Sequence, residues 1–133
     1  MNNSILKSLL IEYDKKRINA ENIAQKEKEN LYTEFPELEE IDKKLSSLAF
    51  SSMIELTKNN DKKIIENLNS NIEALKKEKE KILNSIGERA KKIIPNYECK
   101  KCNDTGYILN GNSTEMCSCL KQKIYDIEYN KSN

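Results

Sequence analysis

The chain has 133 residues, and its apolar fraction of 37% lies well below the roughly 45–50% of an average globular domain, while 34% of its residues are charged. Net charge is +1, with 18 basic and 17 acidic side chains in residues 1–95 and five of each thereafter, so there is no basic stripe of the kind that neutralises a run of phosphates. The length excludes a large enzyme, the absence of His removes the usual general base and the Ser/His and Cys/His pairs, and none of the three Gly is followed by Lys, which leaves no P-loop.

Met1-Asn2-Asn3-Ser4 lacks the basic and apolar regions of a signal peptide, and no stretch approaches the roughly 20 apolar residues of a membrane span. A cytoplasmic chain is expected. Reducing conditions there disfavour structural disulfides, so clustered cysteines are expected to be metal ligands or redox groups.

In chain order, Leu6, Leu10, Tyr13, Ala20, Ala24 and Leu31 follow four-three spacing, with Arg17 and Glu27 in the two remaining slots of the stripe, which predicts one amphipathic helix over residues 3–32. Pro36 suits the first turn of a new helix, and Glu37, Glu39 and Glu40 place negative charge at its positive end. Leu38, Ile41, Leu45, Leu48, Ala49, Met53 and Leu56 carry the apolar face of this second helix to about Lys58. The short connection Asn59-Asn60-Asp61 predicts an antiparallel neighbour. A third helix over 61–94 presents Ile65, Leu68, Ile72, Leu75, Ile82, Ile86, Ala90 and Ile93, with Lys79 as the one charged gap; Gly87 weakens it by about 1 kcal/mol, and Pro95 stops it. The fold expected is mainly α: an elongated antiparallel three-helix bundle over residues 1–95, about 35–50 Å long, with the apolar stripes as its core.

After Pro95 the composition changes, and all four cysteines fall in Cys99-x2-Cys102-x14-Cys117-x-Cys119. A pair separated by two residues is the common zinc hairpin, and Asn103 after it suits a bend at positive φ. Within the insert, Tyr107-Ile108-Leu109 and Thr114-Glu115-Met116 read as two strands joined through Asn110-Gly111, with a loop of two or of four residues. Cys117 and Cys119 return the chain just before a short helix carrying Leu120, Ile124, Ile127, Tyr125 and Tyr129, and the helix dipole favours anionic sulfur there. Lys100, Lys101, Lys121 and Lys123 flank the site and would offset the formal −2 of a zinc tetrathiolate. The expected divisions are therefore a helical domain at 1–95, a small zinc ribbon with a β-hairpin at 96–120, and a short helix or linker at 121–133. Four protein thiolates on one structural Zn2+ leave no open position, so no catalytic residue is expected. A redox Cys-x-x-Cys would need a βαβ context that is missing, and iron–sulfur motifs usually space their cysteines differently.

Phe35-Pro36-Glu37-Leu38-Glu39-Glu40-Ile41-Asp42, followed by Cys99-Lys100-Lys101-Cys102-Asn103-Asp104-Thr105-Gly106-Tyr107 and Cys117-Ser118-Cys119-Leu120, resembles the amino-terminal part of bacterial replicative helicase loaders of the DnaC/DnaI type, over nearly the whole chain. The resemblance implies a zinc-binding adaptor that docks on the hexameric replicative DNA helicase during replication initiation, ahead of an AAA+ ATPase domain that these residues do not include. It makes Cys99, Cys102, Cys117 and Cys119 the zinc ligands, although some members of the family place a His among them. The apolar edge Leu6, Leu9, Leu10 and Tyr13 then serves either as helix-in-groove anchors for the partner or as core. Two other classes compete: a zinc ribbon binding single-stranded nucleic acid through Tyr97, Tyr107, Lys100 and Lys101, against which the even charge argues, and a thiol redox switch that releases zinc.

Overall fold

Pro36 has no amide hydrogen to continue a helix and a φ preset to start one. The computed structural model, which describes residues 3–132, accordingly ends α1 (Asn3–Glu34) two residues before it and begins α2 (Pro36–Lys58) on it, with Glu37 and Glu39 in the first turn. Met1, Asn2 and Asn133 lie outside the described residues, and with them the first half of the stretch Met1-Asn2-Asn3-Ser4 weighed against a signal peptide and the expected end of the last helix. Asp61 caps α3 (Lys62–Ile86), its carboxylate accepting from the amides of Lys63 at 3.0 Å and Ile64 at 3.4 Å. Gly87, expected to sit inside a longer helix, instead ends it: φ of 88° is open to glycine and closed to most side chains, and residues Gly87–Ile93 continue as a 3₁₀ turn. β1 (Tyr107–Asn110) pairs antiparallel with β2 (Ser113–Met116), Tyr107 opposite Met116, and α4 (Ser118–Ser132) follows. The hairpin loop has two residues, but they are Gly111-Asn112, one position later than the Asn110-Gly111 expected, with Gly111 at φ 65° in the first position, as type II′ turns require.

The chain forms two compact units. One, Lys26–Ile93, holds the end of α1, the antiparallel hairpin of α2 and α3, and the 3₁₀ turn. Leu31, Leu38 and Ile41 are buried in it. Along α2 the inward line runs Leu38, Ile41, Leu45, Leu48 and Ser52, at steps of three and four, so Ser52 is buried while Ala49, Met53 and Leu56, expected on the apolar face, are exposed. Lys79, the charged gap of the third stripe, meets Asp42 at 2.6 Å, and Tyr32 donates its hydroxyl hydrogen to the same carboxylate. Arg89 and Glu34 pair at 2.5 Å.

The other unit joins Met1–Gln25 to Ile94–Asn133. Its core is Leu9 and Tyr13 from α1 with Cys102, Cys117, Leu120 and Ile124, and Leu6, Leu10, Tyr107, Ile108 and Met116 pack against it. The chain passes between the compact units twice, at 93/94, beside the boundary expected at residue 95, and at 25/26 within α1, so the amino-terminal half of α1, expected in a three-helix bundle, instead spends its apolar face on the cysteine segment. No helix among the described residues is long and apolar enough to cross a membrane.

Candidate metal centre

The first cysteine pair sits on a turn built with three positive-φ residues. Asn103 and Asp104 adopt φ of 53° and 58°, and Gly106 lies at 86°. Asn103 meets the expectation for a residue type that tolerates the left-handed region. The turn is closed by the Asn103 amide on the Cys99 carbonyl at 2.9 Å and by the Thr105 hydroxyl on the Cys102 carbonyl at 2.7 Å. The buried Asp104 carboxylate folds back to accept from the amides of Glu98 at 3.0 Å and Cys99 at 2.9 Å. Those amides would otherwise be unpaired beside the site, so one side chain both satisfies them and fixes where Cys99 points.

The second pair arrives by the hairpin. The Cys117 amide donates to the Gly106 carbonyl at 2.7 Å, which ties the end of β2 to the turn before β1, and the amides of Leu120 and Lys121 donate to the Cys117 carbonyl at 3.1 Å each. Cys119 is thereby in the first turn of α4.

The four sulfurs converge, all lying within 4.8 Å of one another. Cys99 and Cys117 are 3.8 Å apart and Cys102 and Cys119 3.7 Å. A tetrahedron with arms of about 2.3 Å has edges of about 3.8 Å, so the measured separations fit a single thiolate-bound ion. They are far longer than a disulfide bond, at about 2.05 Å, and all four cysteines are free. These residues can hold a metal ion, and with four protein donors they leave it no vacant position for a substrate.

The thiols differ in their electrostatics. Amide hydrogens, that of Cys102 foremost, draw the Cys99 thiol down to about 7, while burial pushes Cys102 up and Cys119 up to about 12. Burial resists a second and a third thiolate, and a cation held between the sulfurs would allow four to coexist. Tyr13 donates to the Cys119 sulfur at 3.0 Å, and burial together with that bond raises its own titration far above the usual phenol range. Of the flanking lysines, Lys123 holds its ammonium 4.7 Å from the Tyr13 ring centre and Lys100 bonds the Asn96 amide oxygen at 2.6 Å. Lys16 pairs with Glu98 at 2.6 Å. Cys99 and Cys119 border an open cleft that Lys16, Lys100 and Lys123 also line.

All four cysteines expected as ligands are thus brought together. Of the apolar edge offered as partner anchors or as core, Leu9 and Tyr13 are 6% and 3% exposed, and Leu6 and Leu10, partly buried, pack on the same core. Sequence reasoning passed over Tyr13 as a hydrogen-bond donor, Asp104 as the amide acceptor and Gly106 as the point of close approach. For Tyr13 the available signal was a hydroxyl in an otherwise aliphatic stripe. No protein-family model, curated protein or solved structure matches the chain.

Proposed function

We propose that the chain is a non-catalytic adaptor whose four cysteines bind one structural Zn2+, and that it docks a loader on the hexameric replicative DNA helicase in the cytoplasm. The observation that carries the metal half is the coincidence of two sulfur pairs at 3.8 and 3.7 Å with the edge of a thiolate tetrahedron of about 3.8 Å. Four soft sulfur donors in that geometry suit zinc, or a lone iron; a cluster, with several irons and sulfides between its thiolates, would spread them wider. Zinc's task is folding, because the segment from Pro95 to Cys119 buries little apolar surface and a bound ion supplies the free energy its own core lacks. The helicase half rests on the stretch Cys99-x-x-Cys102-x-Asp104-Thr105-Gly106-Tyr107, the most specific part of the resemblance to loader amino-terminal domains.

Two measurements test the reading. Elemental analysis of the purified chain is expected to return one zinc per chain; a folded, reduced and metal-free sample removes the metal centre. A pull-down of the chain against the replicative helicase of the same cell is expected to retain the helicase at micromolar concentration. No binding there, with single-stranded DNA bound in a manner that weakens steeply with salt, replaces the adaptor by the nucleic-acid-binding ribbon.

A further inference from the structure

One face of α1 is devoted to the cysteine turn. Tyr13 stands four residues after Leu9, and Lys16 and Arg17 stand three and four after Tyr13, the spacing of neighbours on a helix surface. Each has a separate partner there. Leu9 lies in the core with Cys102 and Cys117, Tyr13 donates to the Cys119 sulfur at 3.0 Å, Lys16 pairs with Glu98 at 2.6 Å, and Arg17 reaches the Asp104 carbonyl at 3.4 Å. The Tyr13 ring also lies against Gly106, where an added Cβ would come within 3.4 Å of its Cδ2. None of the four clustered cysteines lies on α1, yet the Cys119 sulfur accepts a hydroxyl hydrogen bond from this helix.

We propose that Tyr13 is an outer-sphere partner of the metal centre, its hydroxyl donating to the Cys119 thiolate, and that binding the ion and docking residues 3–25 on the cysteine turn are in consequence one coupled event. The inference rests on the metal centre proposed above and is independent of the helicase. A metal-bound sulfur carries negative charge and accepts a stronger, charge-assisted hydrogen bond than a neutral thiol. Tyr13 gains that strength only when the ion is present. By linkage, whatever the hydroxyl contributes to holding α1 it contributes equally to holding the ion. Partners of this kind, one bond removed from the metal, typically account for 10–100-fold in affinity. The edge Leu6, Leu9, Leu10 and Tyr13 is then exposed or covered according to metal content.

The test uses the full chain with cobalt(II) as a coloured substitute, its affinity read against a competing chelator. Tyr13→Phe keeps the ring and removes the hydroxyl. It is expected to bind cobalt on the order of tenfold more weakly, with a displaced sulfur-to-cobalt charge-transfer band and unchanged helix content. In the wild type, stripping the ion is expected to raise amide hydrogen exchange over residues 3–25 as well as 96–120 and to leave residues 62–86 protected. Wild-type affinity and band position in Tyr13→Phe, or exchange over 3–25 indifferent to metal, overturns the inference. Should Tyr13→Phe fail to fold, the exchange experiment on the wild type decides alone. A wild type that takes up no cobalt removes the metal centre and this inference together; one that binds it, with Tyr13→Phe indistinguishable, removes only the inference.

Discussion

Asp104 and Gly106 determine whether the first two cysteines can face one point. The Asp104 carboxylate, 4% exposed, is the acceptor for two amides, one of them that of Cys99. Asp104→Ala would leave both donors without a partner in a buried turn, at about 1–3 kcal/mol for each unsatisfied group. Asp104→Asn keeps one carbonyl oxygen and is expected to fall between. Denaturant titration followed over residues 94–132, with metal content measured in parallel, checks the order wild type, Asn, Ala. Gly106 has a second constraint, since a Cβ would stand 3.0 Å from the Leu120 Cδ2 on a backbone at φ 86°. Gly106→Ala therefore combines a strained conformation, at about 1–3 kcal/mol, with pressure on a fully buried leucine, and a loss of bound metal is the expected readout. Asn103 could be foreseen, because its residue type and its place after Cys-x-x-Cys together imply positive φ. Asp104 could not: a carboxylate in a loop is usually solvated, and nothing local reveals that the chain will bury it.

Among the helices, starts and stops were legible where a side chain acts on its own backbone. Pro36 and Asp61 mark the starts of α2 and α3 because one lacks a donor and the other supplies an acceptor within three residues. Gly87 was visible too, but as a weakness within a helix rather than its end; what decides is φ of 88°, which breaks the α-helical backbone there. The polar interruptions of the stripes were visible without their meaning. Lys79 makes sense once α2 turns Asp42 toward it, and the same carboxylate takes the Tyr32 hydroxyl hydrogen, which with burial raises that phenol's titration. Asp42, whose side chain is 15% exposed, is thus the shared partner of two groups from different helices. Asp42→Ala strands both, and a loss of about 1–3 kcal/mol is expected in the unit Lys26–Ile93, against a smaller loss for Lys79→Met, which removes one charge and leaves the Tyr32 bond in place. Chemical denaturation followed by helix content measures both, and equal losses would place the stabilisation in the ion pair alone.

For the molecule as a whole, periodicity along α1 correctly marked which side chains turn away from water but carried no information on what they turn toward. The composition break at Pro95 lies beside one crossing between the compact units, at 93/94; the other, within α1 at 25/26, has no such mark, because Leu9 and Tyr13 find their neighbours about a hundred residues later. Two units with separate cores, one of them holding the cysteines, imply two unfolding transitions with different metal dependence. Metal stabilises only the unit that binds it, by about 4 kcal/mol when free ion stands a thousandfold above its dissociation constant. Cys102→Ser, which replaces a buried thiol, or a chelator added to the wild type, is therefore expected to lower the transition of Met1–Gln25 with Ile94–Asn133 and to leave that of Lys26–Ile93 unmoved. Calorimetry resolves the two. Transitions that shift together would mean that the units unfold as one.

The response to pH should reverse sign with metal content. With the ion bound, thiolates are its ligands, each proton that must be displaced lowers the apparent affinity tenfold per pH unit of acidification, and the metal-bearing unit is stabilised as pH rises. Without the ion, burial favours neutral thiols at Cys102 and Cys119, the latter pushed up to about 12 against about 8.5 for an unfolded cysteine. A group whose folded value is raised contributes stability that is complete below the unfolded value and is lost as pH climbs from there toward the folded one. Between about pH 8.5 and 12 the metal-free unit should therefore weaken while the metal-loaded unit does not. Cys99, drawn down to about 7, opposes this only in part, because its own gain is complete once pH passes the unfolded value. Melting curves at about pH 9 and 10.5, both above the window in which Cys99 contributes, each with and without chelator, separate the two slopes. Parallel slopes would mean that the sulfurs are not the groups that the ion holds.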